Sequence, residues 1–274
     1  MRSNTIIFLS AALLLLLAGC KSQFEALLMS NDADAKYKAA MQLFEDEKYK
    51  KAGQMFESLS MLTSGTDRDD TVKYYYALST YRDQDYYSAE TNFTSYLELY
   101  PRGDFSVDAA FLKLDCMYRA SNRYELDQAP TKAAIYAISE YVMQYPDSPK
   151  LDICRKMLED LEGRLDEKAY QAAYLYFRME DYIASRTAFK NVLKNNADSR
   201  HREDIVYYIA LSAYRYADLS VATKQKERFM DFVDEYYNFI GEYPESAYRK
   251  ELDRCYDRAQ DILHLTPTDN SNKK

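Results

Sequence analysis

The chain has 274 residues and a net charge of −8, with only six Gly and six Pro against 28 Tyr, 12 Phe and no Trp. Gly and Pro each stand near about 2%, where roughly 7% and 5% are usual, which excludes collagen-like chains, Pro/Gly-rich disorder and the turn-dense all-β sandwich. A 47% apolar content is too high for general disorder, and the acidic balance lacks the basic face of a nucleic-acid binder.

What remains is a mostly helical globular protein, and its elements follow in chain order. Arg2 precedes an apolar run from Ile6 to Leu17 that ends in Leu17-Ala18-Gly19-Cys20. A cation, a short apolar core and small residues before a cut site describe a secretory signal over residues 1–19. The Leu-Ala-Gly-Cys ending is similar to a bacterial lipobox, which implies cleavage before Cys20 and its lipidation. The other reading is an ordinary signal peptide with a chance cysteine. Lys21 and Ser22 follow without an aspartate, so the expected destination is the outer membrane, on its periplasmic face, held by the lipid anchor only. Residues 20–33 read as a lipidated tether with room for a helical turn at Phe24 to Met29.

From there an internal repeat takes over. Glu47-Lys48-Tyr49-x-x-Ala52-x-x-x-Phe56, Gln84-Asp85-Tyr86-x-x-Ala89-x-x-x-Phe93 and Glu180-Asp181-Tyr182-x-x-Ser185-x-x-x-Phe189 align without gaps. Ala40, Ala77 and Ala173 lie 12 positions before the second small residue of each, and Ser64, Pro101 and Ala197 lie 12 after it. This resembles the tetratricopeptide repeat, in which small residues let two helices approach, an aromatic fills the gap and Pro ends the second helix.

The expected architecture is an all-α solenoid over 34–263. Its helix–turn–helix units lie near 34–64, 69–101, 104–146, 148–197 and 199–244, with a capping helix at 247–263 and a disordered tail at 264–274. In unit three, Ala110 is the expected small residue of the first helix and Ala134 and Ile138 mark the second. Its extra length falls around Ser121 to Pro130 as a loop. Leu151 to Glu180 reads as one long helix of about 45 Å, with Ser148-Pro149 as its N-cap signal. In unit five, Ala210 and Tyr236 hold the repeat positions and the extra residues fall around Asp218 to Glu227. Apolar Leu252, Cys255, Tyr256, Ala259 and Leu263 mark the buried side of the capping helix.

No constellation calls for catalysis, a metal or another cofactor. His201 and His264 have no neighbours at ligand spacing, and no GxSxG, GxxxxGK or GxGxxG occurs. Asp67, Asp69 and Asp70 resemble a fragment of a calcium loop without its Gly and Glu, so a solvated loop before a helix is the reading. Cys116, Cys154 and Cys255 number three and include no CxxC; buried free thiols and a disulfide pair both stay open.

Two surfaces carry information. The first helices of units one and two should line a concave groove with Tyr37, Met41, Phe44, Tyr74, Leu78 and Tyr81, closed by the cation Arg82. Such a set suits an extended apolar–aromatic segment ending in a carboxylate; alternatively, any one of these residues completes the core between repeats. In unit four, Arg186, Lys190 and Lys194 form an i, i+4, i+8 basic stripe, read either as a docking site for an acidic partner or as a wet face.

Taken together, the lipobox ending at Cys20, the Tyr49–Ala52–Phe56 unit, Tyr145-Pro146-Asp147-Ser148, Leu161, Arg164-Leu165 and the Ala169 to Tyr182 stretch resemble the BamD (ComL) family of outer-membrane protein assembly lipoproteins. The resemblance runs over roughly residues 20 to 263. It implies a non-catalytic subunit of the β-barrel assembly (BAM) machine, with three kinds of partner: the POTRA domains of a BamA-like insertase, other BAM lipoproteins and unfolded outer-membrane proteins. It further implies that the first repeats receive the aromatic-ended C-terminus of those clients. An insertase-contacting arginine should then lie on the second helix of unit four, where Arg186 is the candidate. The alternative is a repeat lipoprotein that scaffolds another envelope complex, such as cell-wall synthesis.

Overall fold

A computed structural model describes residues 23–265; the signal segment 1–19, Cys20 and the tail after Leu265 lie outside the described residues. Helix α1 spans residues 23–28. It is followed by α2 (Ala33–Glu45), α3 (Tyr49–Thr63), α4 (Asp69–Arg82), α5 (Tyr86–Leu99), α6 (Ser106–Ala120) and α7 (Ala129–Gln144). Then come α8 (Leu151–Arg178), α9 (Tyr182–Asn195), α10 (Arg202–Asp218), α11 (Ala222–Glu242) and α12 (Arg249–Leu265). The described residues contain no strand. The chain divides into two compact units, one holding the residues up to Asn122 with Ala129–Leu158, the other Arg123–Gln128 with Glu159 onward. Helix α8 gives its first turns to one unit and the rest to the other.

The repeat is built by one local device used three times. Glu47, Gln84 and Glu180, the first residue of each aligned motif, adopt left-handed backbone at φ 59°, 65° and 61°. That conformation ends a helix by letting the next amide reach back across the last turn. Lys48 N donates to Leu43 O (2.9 Å), Asp85 N to Thr80 O (3.2 Å) and Asp181 N to Tyr176 O (3.0 Å). Asp85 and Asp181 then start the following helix by accepting from the amides of Ser88 and Ala184, which satisfies donors that have no partner inside the helix. Lys48 makes no such cap.

The aligned side chains are the core. Ala40, Ala52, Phe56, Ala77, Ala89, Phe93, Ser185 and Phe189 are wholly buried, and Ala173 almost so. With only a methyl between backbones, paired helices approach closely and the aromatic ring fills the remaining space. In unit three the buried small residue is Ala109 rather than Ala110. Helix α6 starts at Ser106, whose hydroxyl donates to Tyr100 O and Gly103 O; this start sets the buried stripe on Ser106, Ala109 and Cys116, and the roughly 100° step per residue puts Ala110 on its flank.

The two long units spend their extra residues differently. In unit three they form the connection 121–128, as expected. That loop is closed by its own groups: Gln128 Nε2 donates to Arg123 O and Leu126 O, and Lys168 Nζ on α8 donates to Tyr124 O and Leu126 O. In unit five the connection is residues 219–221 only, and the extra residues lengthen α11 to 21 residues. Asp218 to Glu227 contains no Gly or Pro to stop a helix, and Phe229, Phe232, Tyr236 and Phe239 beyond it follow the helical stripe into the core.

Ser148, Ser199 and Ser246 act as turn residues one step ahead of the helices. Each hydroxyl oxygen accepts from the amide two residues on, at Lys150, His201 and Tyr248, and the helices begin three residues after each serine. Gly103 takes the equivalent place before α6 for a steric reason. A Cβ there would sit 2.8 Å from Asp70 Oδ2 and 2.8 Å from the Tyr96 hydroxyl oxygen. Gly103→Ala is therefore expected to cost about 1–3 kcal/mol by overpacking, read as a lowered midpoint in urea unfolding. A value within about 0.3 kcal/mol of the parent would contradict the close approach.

At the C-terminus, Leu252 and Ala259 of α12 are buried and Cys255, Tyr256 and Leu263 pack beside them against α10 and α11, so the last helix covers the second unit with its expected face. Cys116 and Cys154 are buried free thiols and Cys255 is a half-buried one. Burial pushes the Cys255 thiol up to about 11.

Candidate partner-docking surfaces

The aromatic set divides. Tyr37, Met41 and Phe44 on α2 and Leu78 and Tyr81 on α4 are half-buried, while Arg82 is exposed in the last turn of α4. Tyr74 is different. It is 5% exposed, stacked on Phe105 at 4.2 Å between ring centroids, and its hydroxyl donates to Asp108. Of the two places open to it, Tyr74 takes the core, and its ring has no face to offer a client. The half-buried members also have intramolecular company: Arg68 lies over the Tyr37 ring at 5.2 Å, and Arg119 over Tyr81 at 5.9 Å.

Tyr81 exposes a pattern not visible in the motif. Its hydroxyl donates to Asp115 (2.6 Å), 34 residues on, just as Tyr74 reaches Asp108 across the same interval. Tyr96 donates to Asp70 (2.5 Å) and Tyr100 to Asp69 (2.7 Å), the latter carboxylate also pairing with Lys73 at 3.0 Å. Asp69 is thus a buried structural acid and not part of a solvated loop. The second unit repeats the theme: Tyr207 to Glu251, Tyr236 to Asp253 and Tyr248 to Asp204. The Tyr74 and Tyr81 pairs join unit two to unit three, the Tyr96 and Tyr100 pairs close unit two on itself, and the last three tie unit five to the capping helix; together they absorb part of both the tyrosine excess and the acidic excess.

Such phenols resist ionisation. Burial, reinforced by the hydrogen bond to Asp115, pushes Tyr81 up to about 12. Burial and Asp69 do the same for Tyr100, and the bond to Asp204 with burial for Tyr248. Because these folded values lie above the roughly 10 of a free phenol, their stabilisation is intact below about pH 10 and is lost as pH rises through about 12. Alkaline titration is expected to show phenolate absorbance and loss of helical signal rising together between pH 10 and 12. Phenolate formation complete near pH 10 with helicity intact would contradict it.

The basic stripe of α9 is not a plain wet face. Arg186 Nη2 lies 2.8 Å from Glu235 Oε1, Arg186 Nη1 3.4 Å from Asp231 Oδ2, and Lys190 Nζ 2.5 Å from the same Glu235 oxygen. Glu235 and Asp231 are one turn apart on α11. Glu235 is 9% exposed; burial alone would raise its carboxyl, but hydrogen bonds from Lys190 and Arg186 outweigh burial and hold it below the usual range. Two cations share that one buried acid, and Asp231 balances the second of them. Arg186 and Lys190 also line an open cleft of about 310 Å³ with Tyr182, Ile183, Thr187 and Tyr216. Lys194 is exposed in the last turn of α9. Glu235 and Asp231 were not singled out in the sequence, where they are two acids among 44.

His201 stacks on Tyr170 (4.3 Å) and lies 3.0 Å from Glu167, which Arg200 also meets at 2.7 Å. This cluster joins α8 to the start of α10 rather than sitting free in solvent.

The chain is therefore a repeat protein of tetratricopeptide type, with helix pairs stacked on Ala–Ala–Phe positions and tyrosine–carboxylate pairs tying helices within and between repeats. It belongs to the YfiO family of outer membrane lipoproteins, whose family model matches residues 29–204. It is similar to the outer membrane protein assembly factor BamD of Caulobacter vibrioides, 23% identical over 162 residues that make up 59% of this chain and 51% of that protein. The chain thus spans about half the length of this curated relative. A structure of the TPR2AB-domain–pHSP90 complex of yeast Sti1 matches with a TM-score of 0.41 and 14% identity, over 83% of this chain and 98% of that one. Among the described residues no helix is long and apolar enough to cross a membrane.

Proposed function

We propose that this chain is a non-catalytic scaffold of an outer-membrane β-barrel assembly machine, attached by lipid on Cys20 to the periplasmic face of the outer membrane. The observation that carries this reading is the cationic, aromatic-edged cleft on α9 and α10 in a chain of this family. There Arg186 and Lys190 line the cleft, paired with Glu235 and Asp231, and the exposed Lys194 one turn further along α9 adds the unbalanced positive charge. An acidic face of the insertase's POTRA domains is the partner that such a cleft suits. In the first unit, Tyr37, Met41, Phe44, Leu78 and Tyr81 keep partial exposure, and Arg82 is exposed in the last turn of α4. They are the groups to receive an extended client C-terminus, its aromatic end against the rings and its carboxylate on the guanidinium.

The client surface is tested with a peptide ending in phenylalanine. Arg82→Ala is expected to weaken its binding on the order of tenfold, the loss of one charge-assisted hydrogen bond, and amidation of the peptide's C-terminus should remove the difference between variant and parent. Equal affinity of Arg82→Ala and the parent for the free-acid peptide would overturn the assignment.

A further inference from the structure

Helix α1 is docked rather than free. Phe24, Leu27 and Leu28 pack on the cluster formed by Ala40, Met55, Phe56 and Leu59, and the Lys51 ammonium lies 5.4 Å over the Phe24 ring. The most unusual group is Lys36. It is 3% exposed, and its ammonium donates to Leu28 O (2.9 Å) and Ser58 Oγ (3.2 Å), both neutral. A buried lysine held without a carboxylate is costly to retain. Here it closes the end carbonyl of α1 and fastens that helix to α3.

Two consequences meet at this clamp. The lipidation site lies just outside: only Lys21 and Ser22 separate Cys20 from α1, so the anchor cannot be more than about 11 Å from Gln23. The two most exposed large apolar side chains among the described residues also flank it: Met61 at 88% and Met29 at 84%. Met29 follows Leu28 directly, and Met61 and Leu62 lie one turn beyond Ser58 on α3. Lys50 and Lys51 stand exposed at the other end of the same helix. Exposed apolar side chains next to the helix that follows an acyl anchor, with lysines further along α3, form the amphipathic pairing that settles at a bilayer interface.

We infer that the α1–α3 edge of the first unit rests on the phospholipid headgroup layer that holds the acyl chains of Cys20. Met29, Met61 and Leu62 enter it, and Lys36 acts as the positioning residue. This rests on the lipid-anchor reading above. Net repulsion of an acidic chain from an anionic surface is overcome locally, because the edge is kept at the membrane by the short leash.

The test uses the lipidated full chain on vesicles of phosphatidylethanolamine and phosphatidylglycerol containing a nickel-chelating lipid that quenches fluorescence at headgroup depth. A fluorophore is placed through Met61→Cys or, as a control on α7 of the same unit, Met143→Cys, both in a Cys255→Ala background. Quenching at least threefold stronger at position 61 is expected. Equal quenching with the chain bound to vesicles would overturn the docked edge and leave the anchor reading intact, whereas failure of the chain to bind vesicles at all would overturn both. In a second measurement, Lys36→Met should speed amide exchange of residues 24–30 at least tenfold and bring quenching at 61 to the control level. Unchanged exchange and quenching would overturn the role of Lys36.

Discussion

Replacing Phe189 by alanine is expected to cost about 3–5 kcal/mol, a large share of the roughly 5–15 kcal/mol that holds a domain folded. Phe189 is wholly buried among Tyr170, Ala173, Val192, Ile205 and Ile209, and its ring is stacked on Tyr208 at 5.6 Å. Its large neighbours Tyr170 and Tyr208 are held by rings of their own, His201 and Tyr174, so the space left behind closes only in part and most of the cavity term stays. The midpoint of thermal unfolding should fall by about 10 °C or more. Phe189→Leu should lose much less, about 1 kcal/mol, and Tyr87→Ala, on an exposed side chain, should stay within about 0.5 kcal/mol. A cost below about 1 kcal/mol for Phe189→Ala would mean that the ring does not organise its repeat.

The second large effect is expected from Arg186→Glu. The change removes the guanidinium from Glu235 and Asp231 and puts a third carboxylate beside them. Lys190 alone then faces Glu235, which is nearly out of water. A buried pair broken by loss of one partner costs about 3–5 kcal/mol; the partial exposure of Arg186 screens the interaction and reduces this to roughly 2–3 kcal/mol. The pH dependence carries a sign. Because the folded Glu235 carboxyl is held below the ordinary glutamate value of 4.5, its stabilisation is present above that pH and is lost as pH falls through the folded value. Arg186→Glu should therefore flatten the acid limb of the stability curve as well as lower it. Retained stability with an unchanged acid limb would contradict the role of the pair.

Partner binding separates a structural from a docking role on α9. Lys194 is exposed at the end of that helix, so Lys194→Glu should leave the unfolding midpoint where it is and still weaken capture of an acidic partner several-fold through slower, less steered association.

Much of the fold could be read from the chain because the repeat is written in residue types with few alternatives. An Ala twelve residues before an Ala or Ser, with Phe four after it, leaves a helix pair little freedom, and Glu47, Gln84 and Glu180 mark the same turn each time. The repeat spacing loses its hold where the length of a unit changes. Ala109 displaced Ala110 because the start of α6 is set by hydroxyl bonds of Ser106 to Tyr100 and Gly103, which no spacing records. The extra residues of unit five became helix because nothing in them stops one.

The surfaces were legible by composition but not by partner. Tyr74 and Tyr81 share the aromatic character of a groove. Both reach a carboxylate of the next repeat, Asp108 and Asp115; what separates them is Phe105, which stacks on Tyr74 and buries it while Tyr81 stays half-buried. A search for Tyr and Asp one repeat length apart would have found these two pairs. Arg186 and Lys190 were visible as a stripe; Glu235 was not, since its place opposite them depends on how α11 packs, and acids are abundant throughout the chain. Lys36 carries no signal in the sequence, because a lysine in an amphipathic helix is ordinarily solvated.

The membership of this chain in a barrel assembly machine is tested most directly by what it holds in its own envelope. The tagged, lipidated full chain is extracted with mild detergent and the copurifying proteins are identified, with Arg186→Glu in parallel. A β-barrel insertase bearing POTRA domains should be recovered with the parent and reduced at least tenfold with the variant. Recovery of a cell-wall synthase with no barrel insertase would contradict it.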